Sequence, residues 1–496
     1  MNPISPISIL RTFIAALFLS ASTISPLLAQ EENSEEVFDL SPFTITGAED
    51  TGYAATSTLA GTRLKSDLRD LAGPIQIITE DFLEDTAVTS TEDLFLYTTS
   101  TEASGPDGNY GAGGAERRDP NITRVRGLAN PDRTRGYFLT NIGFDTYNTD
   151  RVAIAKGPNA ILFGLGSPAG IVNNNLKQAR FEQSNEIKVQ YGSWGSHREI
   201  LDVNRVLFDD VLAFRIISLN NETKYKQQPS YSDEKRLYGN FLFTPAENTT
   251  IRANFEVGSR DASRPYTSSP TTNIPGWIGS GMAMTTGNTA QSGFSNYSGN
   301  RAPQFIYGEP SAVTTNVGFD PAPATSGPDG IRRQHYTAPT REDLAGGDFS
   351  QGVLTEETGY VFDFRNNTLT GLDNKQNVSF EAVNVSLEHQ FGENAGIELV
   401  YDEQSYDDYS KDISQNAIRV DTSSYLPYYK YENGAAFDPQ NPYAGRPYLT
   451  MVGNLWNTVT DREAFRVTGF YDLDLRDHET MGWLGRHVFT LSLIHI

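Results

Sequence analysis

Cysteine is missing from all 496 residues, so the chain builds neither a disulfide framework nor a thiolate metal site. Histidine is scarce. The six at 197, 335, 389, 478, 487 and 495 form no H-E-x-x-H pair, and no G-x-S-x-G elbow offers a serine nucleophile. With these constellations absent, no enzyme, catalytic residue, cofactor or metal is expected. Asp402, Asp407 and Asp408 read as a solvated acidic loop, not as a Ca²⁺ site. Positive charge is also short, with 39 Lys and Arg against 62 Asp and Glu and a net charge of -23. Such a balance speaks against nucleic-acid phosphates as partners. No stretch reaches the roughly 18 consecutive apolar residues of a membrane helix. Mean hydropathy is -0.43, although strands that cross a bilayer escape that test.

What is present begins with MNPISPISILRTFIAALFLSASTISPLLAQ, a basic residue, a short apolar run and small residues up to Ala29. This has the form of a secretory signal peptide, residues 1–29, and predicts export. Residues 30–60 form a tether that starts with the acidic stretch 31–36. Within it lies VFDLSPFTIT, residues 37–46: Val37, Phe38, Asp39, Leu40, Ser41, Pro42, Phe43, Thr44, Ile45 and Thr46. Pro42 excludes a helix, and an extended apolar segment of this kind can add as a strand to another protein's sheet edge or serve as the first strand of its own domain.

Residues 61–184 read as a small α/β domain. PIQIIT (74–79) is a short strand, Thr89 and Glu92 have capping-box spacing ahead of the helical stretch 92–99, and VRGL (125–128) and YFLTNIGF (137–144) are strand-like. The unit closes with RVAIAKGPNAILFGLGSPAGIVNNNLKQ, residues 151–178. Its glycines invite a nucleotide reading, and the spacing refuses it. Gly164 is followed by Leu165 and Gly166, so the Lys and hydroxyl of a P-loop are missing. Gly164, Gly166 and Gly170 are too widely spaced for a dinucleotide loop.

After Ser184 the apolar period becomes two. IRANFEV sets Ile251, Ala253, Phe255 and Val257 against Arg252, Asn254 and Glu256, and VNVSLEH and FRVTGFYDL alternate in the same way. About nine strands are expected, near 186–192, 198–206, 211–220, 235–243, 249–257, 378–391, 396–405, 463–476 and 486–491. A soluble sandwich would alternate likewise. The connections discriminate: short turns follow the even-numbered strands, while long stretches, notably 258–377 and 406–462, follow most odd ones. Long loops on one rim and short turns on the other are the pattern of an outer-membrane barrel, here residues 185–490. Plugged barrels have about 22 strands. The last six residues, 491–496, translate a DNA sequence matching a transposon end used in sequencing libraries, and are expected to be an adapter scar.

The stretch 151–177 resembles the plug-ending signature of the TonB-dependent outer-membrane receptors, and VRGL is similar to that family's IRGF. Residues 70–97 look like its early plug strand and helix, and VFDLSPFTIT resembles its energy-coupling TonB box. The plug-signature positions are Arg126, Gly127, Lys156, Gly157, Pro158, Gly164, Gly166, Ser167, Pro168, Gly170 and Asn173. Ala153, Lys156, Asn174 and Asn175 depart from the family pattern, so no plug-to-barrel ion pair is carried over to them. The resemblance implies a small α/β plug domain followed by an antiparallel transmembrane β-barrel in the outer membrane of a Gram-negative-type bacterium. Its implied partners are TonB, membrane lipid and a small ligand at the outer face, such as a ferric siderophore, another chelate, a glycan or an organic nutrient. A surface lipoprotein is a further candidate partner. Tyr110, Tyr266, Trp277, Tyr297 and Tyr307 are the candidate ligand contacts. The alternatives are a passive porin, which should lack box and plug, and a secreted β-rich adhesin, which should not sort its loops by length.

Overall fold

The computed structural model describes residues 42–45, 50–61, 63–103, 123–157, 167–263, 265, 366–368, 371–392, 394–411, 455–476, 478 and 480–495, with the backbone alone given for 271–272, 304–307, 331–334, 352–353, 412–420, 429–430, 436–437 and 447–454. The cleavage site after Ala29, the residues Tyr110, Tyr266, Trp277 and Tyr297, and the side chain of Tyr307 lie outside the described residues.

The α/β unit opens with a small hairpin, β1 (Ser57–Thr58) and β2 (Ser66–Asp67). It continues through β3 (Ile75–Thr79), α1 (Glu80–Asp85), α2 (Thr91–Leu96), the pair β4 (Thr101–Ala103) and β5 (Thr123–Val125), then β6 (Asp132–Arg135), β7 (Phe138–Leu139), β8 (Thr149–Lys156) and β9 (Gly170–Leu176). Five strands form one sheet in the order β3-β8-β9-β6-β7. Local chemistry sets the helix starts. Thr79 caps α1 by accepting from the Phe82 amide, and Glu80 and Asp81 sit in its first turn, where the helix dipole favours acids. At α2 the cap is Ser90, one residue beyond the expected Thr89, because its hydroxyl accepts from Asp93 N at 3.1 Å while Asp93 reaches back to Thr89 N at 3.4 Å. The expected strand at 125–128 is a turn after β5, since Arg126 and Gly127 both have positive φ, 59° and 69°. YFLTNIGF yields a strand only at Phe138–Leu139. Leu83, Leu94, Val88, Val125, Val152 and Ile154 make a dry apolar core between helices and sheet.

The wall is a single antiparallel sheet of long strands: β10 (Ser184–Tyr191), β11 (His197–Phe208), β12 (Leu212–Lys224), β13 (Tyr231–Ala246) and β14 (Thr249–Ser263). Short backbone pairs follow, β15 (Thr271–Thr272) with β18 (Gly352–Val353), and β16 (Gln304–Tyr307) with β17 (Ile331–Gln334). The sheet resumes with β19 (Lys375–Gln390) and β20 (Ala395–Val420), passes the small pair β21 (Tyr429–Lys430) and β22 (Ala436–Phe437), and ends with β23 (Pro447–Asp474) and β24 (Arg486–His495). Each of the strands read from alternation has a counterpart. Two expected loops shrink: β14 and β19 run to Ser263 and from Lys375, so 258–377 is too wide, and β20 and β23 extend through Val420 and from Pro447, so 406–462 is far too wide. Asp407 and Asp408 are therefore strand residues in register with Ser379 and Val378, not loop residues. Leu491 to His495 pair with β23.

Alternation sorts the wall's two faces. Leu201, Leu237, Phe243, Leu387, Phe465 and Tyr471 are exposed on the outside, while Asn240, Arg252, Glu256, Glu388, Asp402 and Arg466 are buried on the inside against the α/β unit. Apolar outside and polar inside is the inverse of a soluble sheet and matches a wall with lipid on one side and a filled lumen on the other. Short turns at 209–211, 247–248 and 391–392 lie at one rim, and the long connections after β14 and β20 leave from the other.

Candidate functional site

Glu256, on β14, is fully buried at 0% exposure and gathers the α/β unit around it. It accepts from the Tyr147 hydroxyl at 2.6 Å and from Asn148 Nδ2 at 2.8 Å, pairs with Arg135, and has Arg236 of β13 at 3.6 Å. Burial, then the Glu256 charge, holds the Tyr147 phenol well above its ordinary pKa, so it stays a donor. Further contacts flank this node. Asp145 pairs with wall Arg198, Arg236 donates to Gly143 O at 2.9 Å, Tyr238 donates to Lys177 O at 2.8 Å, and Asn240 accepts from Ala179 N at 2.7 Å. Lys177 bridges Glu80 at 2.6 Å and wall Asp202 at 3.9 Å. The seam between plug and wall is thus largely ionic and hydrogen-bonded.

At the short-turn rim the tether docks on the same wall. Phe43 packs edge-on against Phe470 at 5.5 Å, and Thr44 donates to Glu388, which Arg252 also holds at 2.6 Å. Gly396 lies opposite Phe470 in the ladder, and a Cβ there would come within 2.6 Å of that ring and 3.3 Å of Phe43, so the notch depends on glycine. Lys65 N donates to Pro42 O at 2.7 Å, and Arg151, buried in the plug sheet, pairs with Asp50. Phe43 and Ile45 are 4% and 7% exposed. Of the expected coupling segment, Pro42 to Ile45 are placed here; Val37 to Ser41 and Thr46 lie outside the described residues.

The plug-signature residues come together, but inside the plug. A Cβ on Gly157 would lie 3.0 Å from Arg126 Nη1, so the two signature stretches touch. Lys156 donates to Gln76 at 3.2 Å and Thr99 at 2.9 Å, and burial lowers its pKa. The Ser167 amide donates to Asp132 at 2.7 Å, and Pro168 occupies the turn beside it. Gly170 has φ +118° and Ala155 O at 2.1 Å from where a Cβ would be, which leaves room for glycine alone. Asn173 Oδ1 accepts from Tyr137 N at 2.7 Å and Thr134 Oγ1 at 2.9 Å. Pro158, Gly164 and Gly166 lie outside the described residues. Gly136 and Tyr137 turn the β6–β7 hairpin with φ of 55° and 68°, and a non-glycine residue in that region costs about 1–2 kcal/mol. Tyr137 is buried, which pushes its phenol up to about 12 against the charges of Arg151, Arg63 and Arg466. Burial, then the Arg466 charge, lowers Arg63 to about 10.

Sequence reasoning missed the seam residues Arg135, Asp145, Tyr147, Asn148 and Lys177. The signal that existed was one-sided: Glu256 and Arg252 stood on the polar face of an alternating strand, while Tyr147, Asn148 and Arg135 lie over 100 residues from Glu256, and Glu388 as far from Arg252.

A family model described as "TonB-dependent Receptor Plug Domain" matches residues 67–171. The "Catecholate siderophore receptor Fiu" of Escherichia coli O157:H7 is 25% identical over 287 residues, which is 54% of this chain and 36% of that protein. The "Ferripyoverdine receptor" of Pseudomonas aeruginosa is 30% identical over 160 residues, 32% of this chain and 19% of that protein. The chain thus spans well under half the length of these relatives. Among solved structures, FpvA of P. aeruginosa bound to a heterologous pyoverdine superposes with a TM-score of 0.58 at 15% identity, covering 92% of this chain and 46% of that one. The open form of Fiu from E. coli K12 gives 0.53 at 15% identity, with 86% and 50% covered. These structural likenesses concern the fold.

Proposed function

Since the chain belongs to the TonB-dependent receptor family, we propose that it serves the active, TonB-driven uptake of a ferric chelate across an outer membrane. The observation that carries this reading is the placement of Pro42 to Ile45 at the short-turn rim, beneath a plug bolted to the wall by the Glu256 node. Short turns face the periplasm in barrels of this kind. A tether docked there stands where a periplasmic partner reaches it, and its extended apolar stretch suits strand addition. The long-loop rim, with the plug segment around Asn141 and Ile142 below it, is the entrance for ligand. The printed names of the relatives, receptors for catecholate siderophores, ferrioxamine and ferripyoverdine, favour an iron chelate over a glycan.

Deleting residues 37–46 in the full-length receptor tests the coupling half of the proposal. Energised uptake of ferric catecholates or ferrioxamine should be lost while equilibrium binding to outer-membrane fractions persists. Uptake that continues undiminished without the segment refutes TonB coupling, and the absence of binding to any ferric chelate in such a panel refutes the ligand class.

A further inference from the structure

Beside the Glu256 node the seam encloses a cavity of about 20 Å³, bounded by β6 and β9 of the plug and by Arg236 and Glu256 of the wall. A space of roughly 10–15 Å³ holds one water-sized body, so this cavity takes a single small ion or molecule. Of the four charged side chains in its lining, three are arginines, Arg133, Arg135 and Arg236, and one is the carboxylate of Glu256.

The hydrogen bonds already made decide what the cavity still offers. Glu256 has both carboxylate oxygens engaged, Oε1 by the Tyr147 hydroxyl and Oε2 by Asn148 and Arg135. Arg236 donates to Gly143 O and pairs with Glu234 at 2.5 Å. Arg135 is different. It is only 7% exposed, its Nη1 pairs with Glu256, and its Nη2 has no hydrogen-bond partner among the described residues. Asn174, one of the positions that depart from the family's plug signature, lines the same cavity. Its Oδ1 accepts from the Thr149 hydroxyl at 2.9 Å, while its side-chain nitrogen donates to no described residue. What is left over is a pair of donors, one on a guanidinium and one on an amide.

A buried guanidinium N–H without an acceptor is costly. A water molecule there accepts from both donors but brings two protons of its own, and the lining carboxylate is already engaged. A single-atom anion accepts from several donors and has nothing to give away. We propose that this cavity is a binding site for one small monovalent inorganic anion of the size of chloride, held by Arg135 Nη2 and Asn174 Nδ2 among the three arginines. The site is completed by both partners of the seam, with Arg135 and Asn174 from the plug and Arg236 from the wall. It therefore exists only while the plug is seated. Binding favours the seated plug, and a plug that parts from the wall gives up the ion.

The test replaces gluconate, too large for the cavity, by chloride at constant ionic strength, with the full-length receptor in outer-membrane vesicles and trypsin cleavage of the plug as readout. At about 150 mM chloride cleavage should slow about sixfold, the linkage effect for a dissociation constant of about 30 mM, and bromide should act likewise. Asn174→Asp keeps the acceptor for Thr149 and puts a fixed negative charge where the anion sits. Its plug should resist trypsin in gluconate as the wild type does in chloride, and should no longer respond to chloride. Crystals of the wild-type receptor grown in bromide should show an anomalous peak between Arg135 and Asn174; if the variant's plug is open in both salts, that peak decides. A wild-type plug indifferent to chloride overturns the proposal, the cavity then holding water only. So does a chloride response that Asn174→Asp leaves intact, which is a general salt effect on the seam. A bromide peak without a response in vesicles is binding at crystal concentration only, and overturns it as well. Neither chelate nor TonB enters these measurements, so their failure is separable from failure of the uptake reading.

Discussion

The interior of the plug and its seam with the wall are built from opposite materials. Inside, Leu83, Leu94, Val152 and Ile154 pack at 0–1% exposure with no polar side chain among them. At the seam, an arginine, a tyrosine and an asparagine of the plug converge on one wall glutamate. Water can replace a hydrogen bond, but it cannot replace an apolar contact without cost. A plug joined to its barrel in this way can part from the wall and keep its own fold. The seam is strong while dry and becomes cheap to open once hydrated.

Four measurements break or sharpen this contrast. Glu256→Ala has the largest expected effect, because it takes the carboxylate from buried Arg135 and leaves Arg236 with Glu234 alone, a loss of about 3–5 kcal/mol. In outer-membrane vesicles the plug of that variant should become open to trypsin; wild-type resistance would mean that the seam is not held ionically. Leu94→Ala, at 0% exposure, should cost about 3 kcal/mol in the interior and lower the urea midpoint of the plug while the seam stays closed at low denaturant. If both substitutions open the seam equally, the two regions are one cooperative unit and the contrast fails.

Alkaline pH comes third. The phenol of Tyr137 is raised to about 12 from 10.0, so the folded state keeps a proton that the unfolded chain gives up. Its contribution, of order 3 kcal/mol, is fully present below pH 10 and is lost as pH rises from there to about 12. The ultraviolet phenolate band, followed with plug protection, should show this tyrosine ionising together with plug release; ionisation near pH 10 in an intact plug would contradict its burial. The smallest effect is expected of Asn148→Ala, which removes one of several donors to Glu256 and should cost about 1 kcal/mol of plug protection by hydrogen exchange.

Much of the architecture was legible in the sequence, and the reasons differ by region. Alternation located every long strand of the wall because lipid on one face and a polar lumen on the other impose a period of two. It failed for the outer halves of β20 and β23, where DDYSKDISQ is polar on both faces yet remains in the ladder. Hydrogen bonds continue there after the apolar signal has stopped. In the plug, the glycine and proline pattern of 151–177 was specific enough to suggest a family, and Gly170 gives the physical reason for one such position. The capping box slipped by one residue because Thr89, Ser90 and Thr91 all carry suitable hydroxyls and only the backbone angles choose between them. The seam was illegible for a different reason. Arg135, Asp145 and Tyr147 look like ordinary surface residues of a small domain until a wall over 50 residues later in sequence is folded around them.

The length of β20 and β23, 26 and 28 residues, has a further consequence. At about 3.3 Å per residue and a tilt near 40°, such strands rise roughly 65–70 Å, whereas the apolar band of a bacterial barrel is only about 25 Å tall. These two strands therefore stand well above the bilayer, beyond neighbours such as β14 and β19 of 15 and 16 residues. On the uptake proposed above, an incoming molecule would meet these strands tens of ångströms before lipid, and its capture would be governed by their chemistry in open water, not by the membrane surface below.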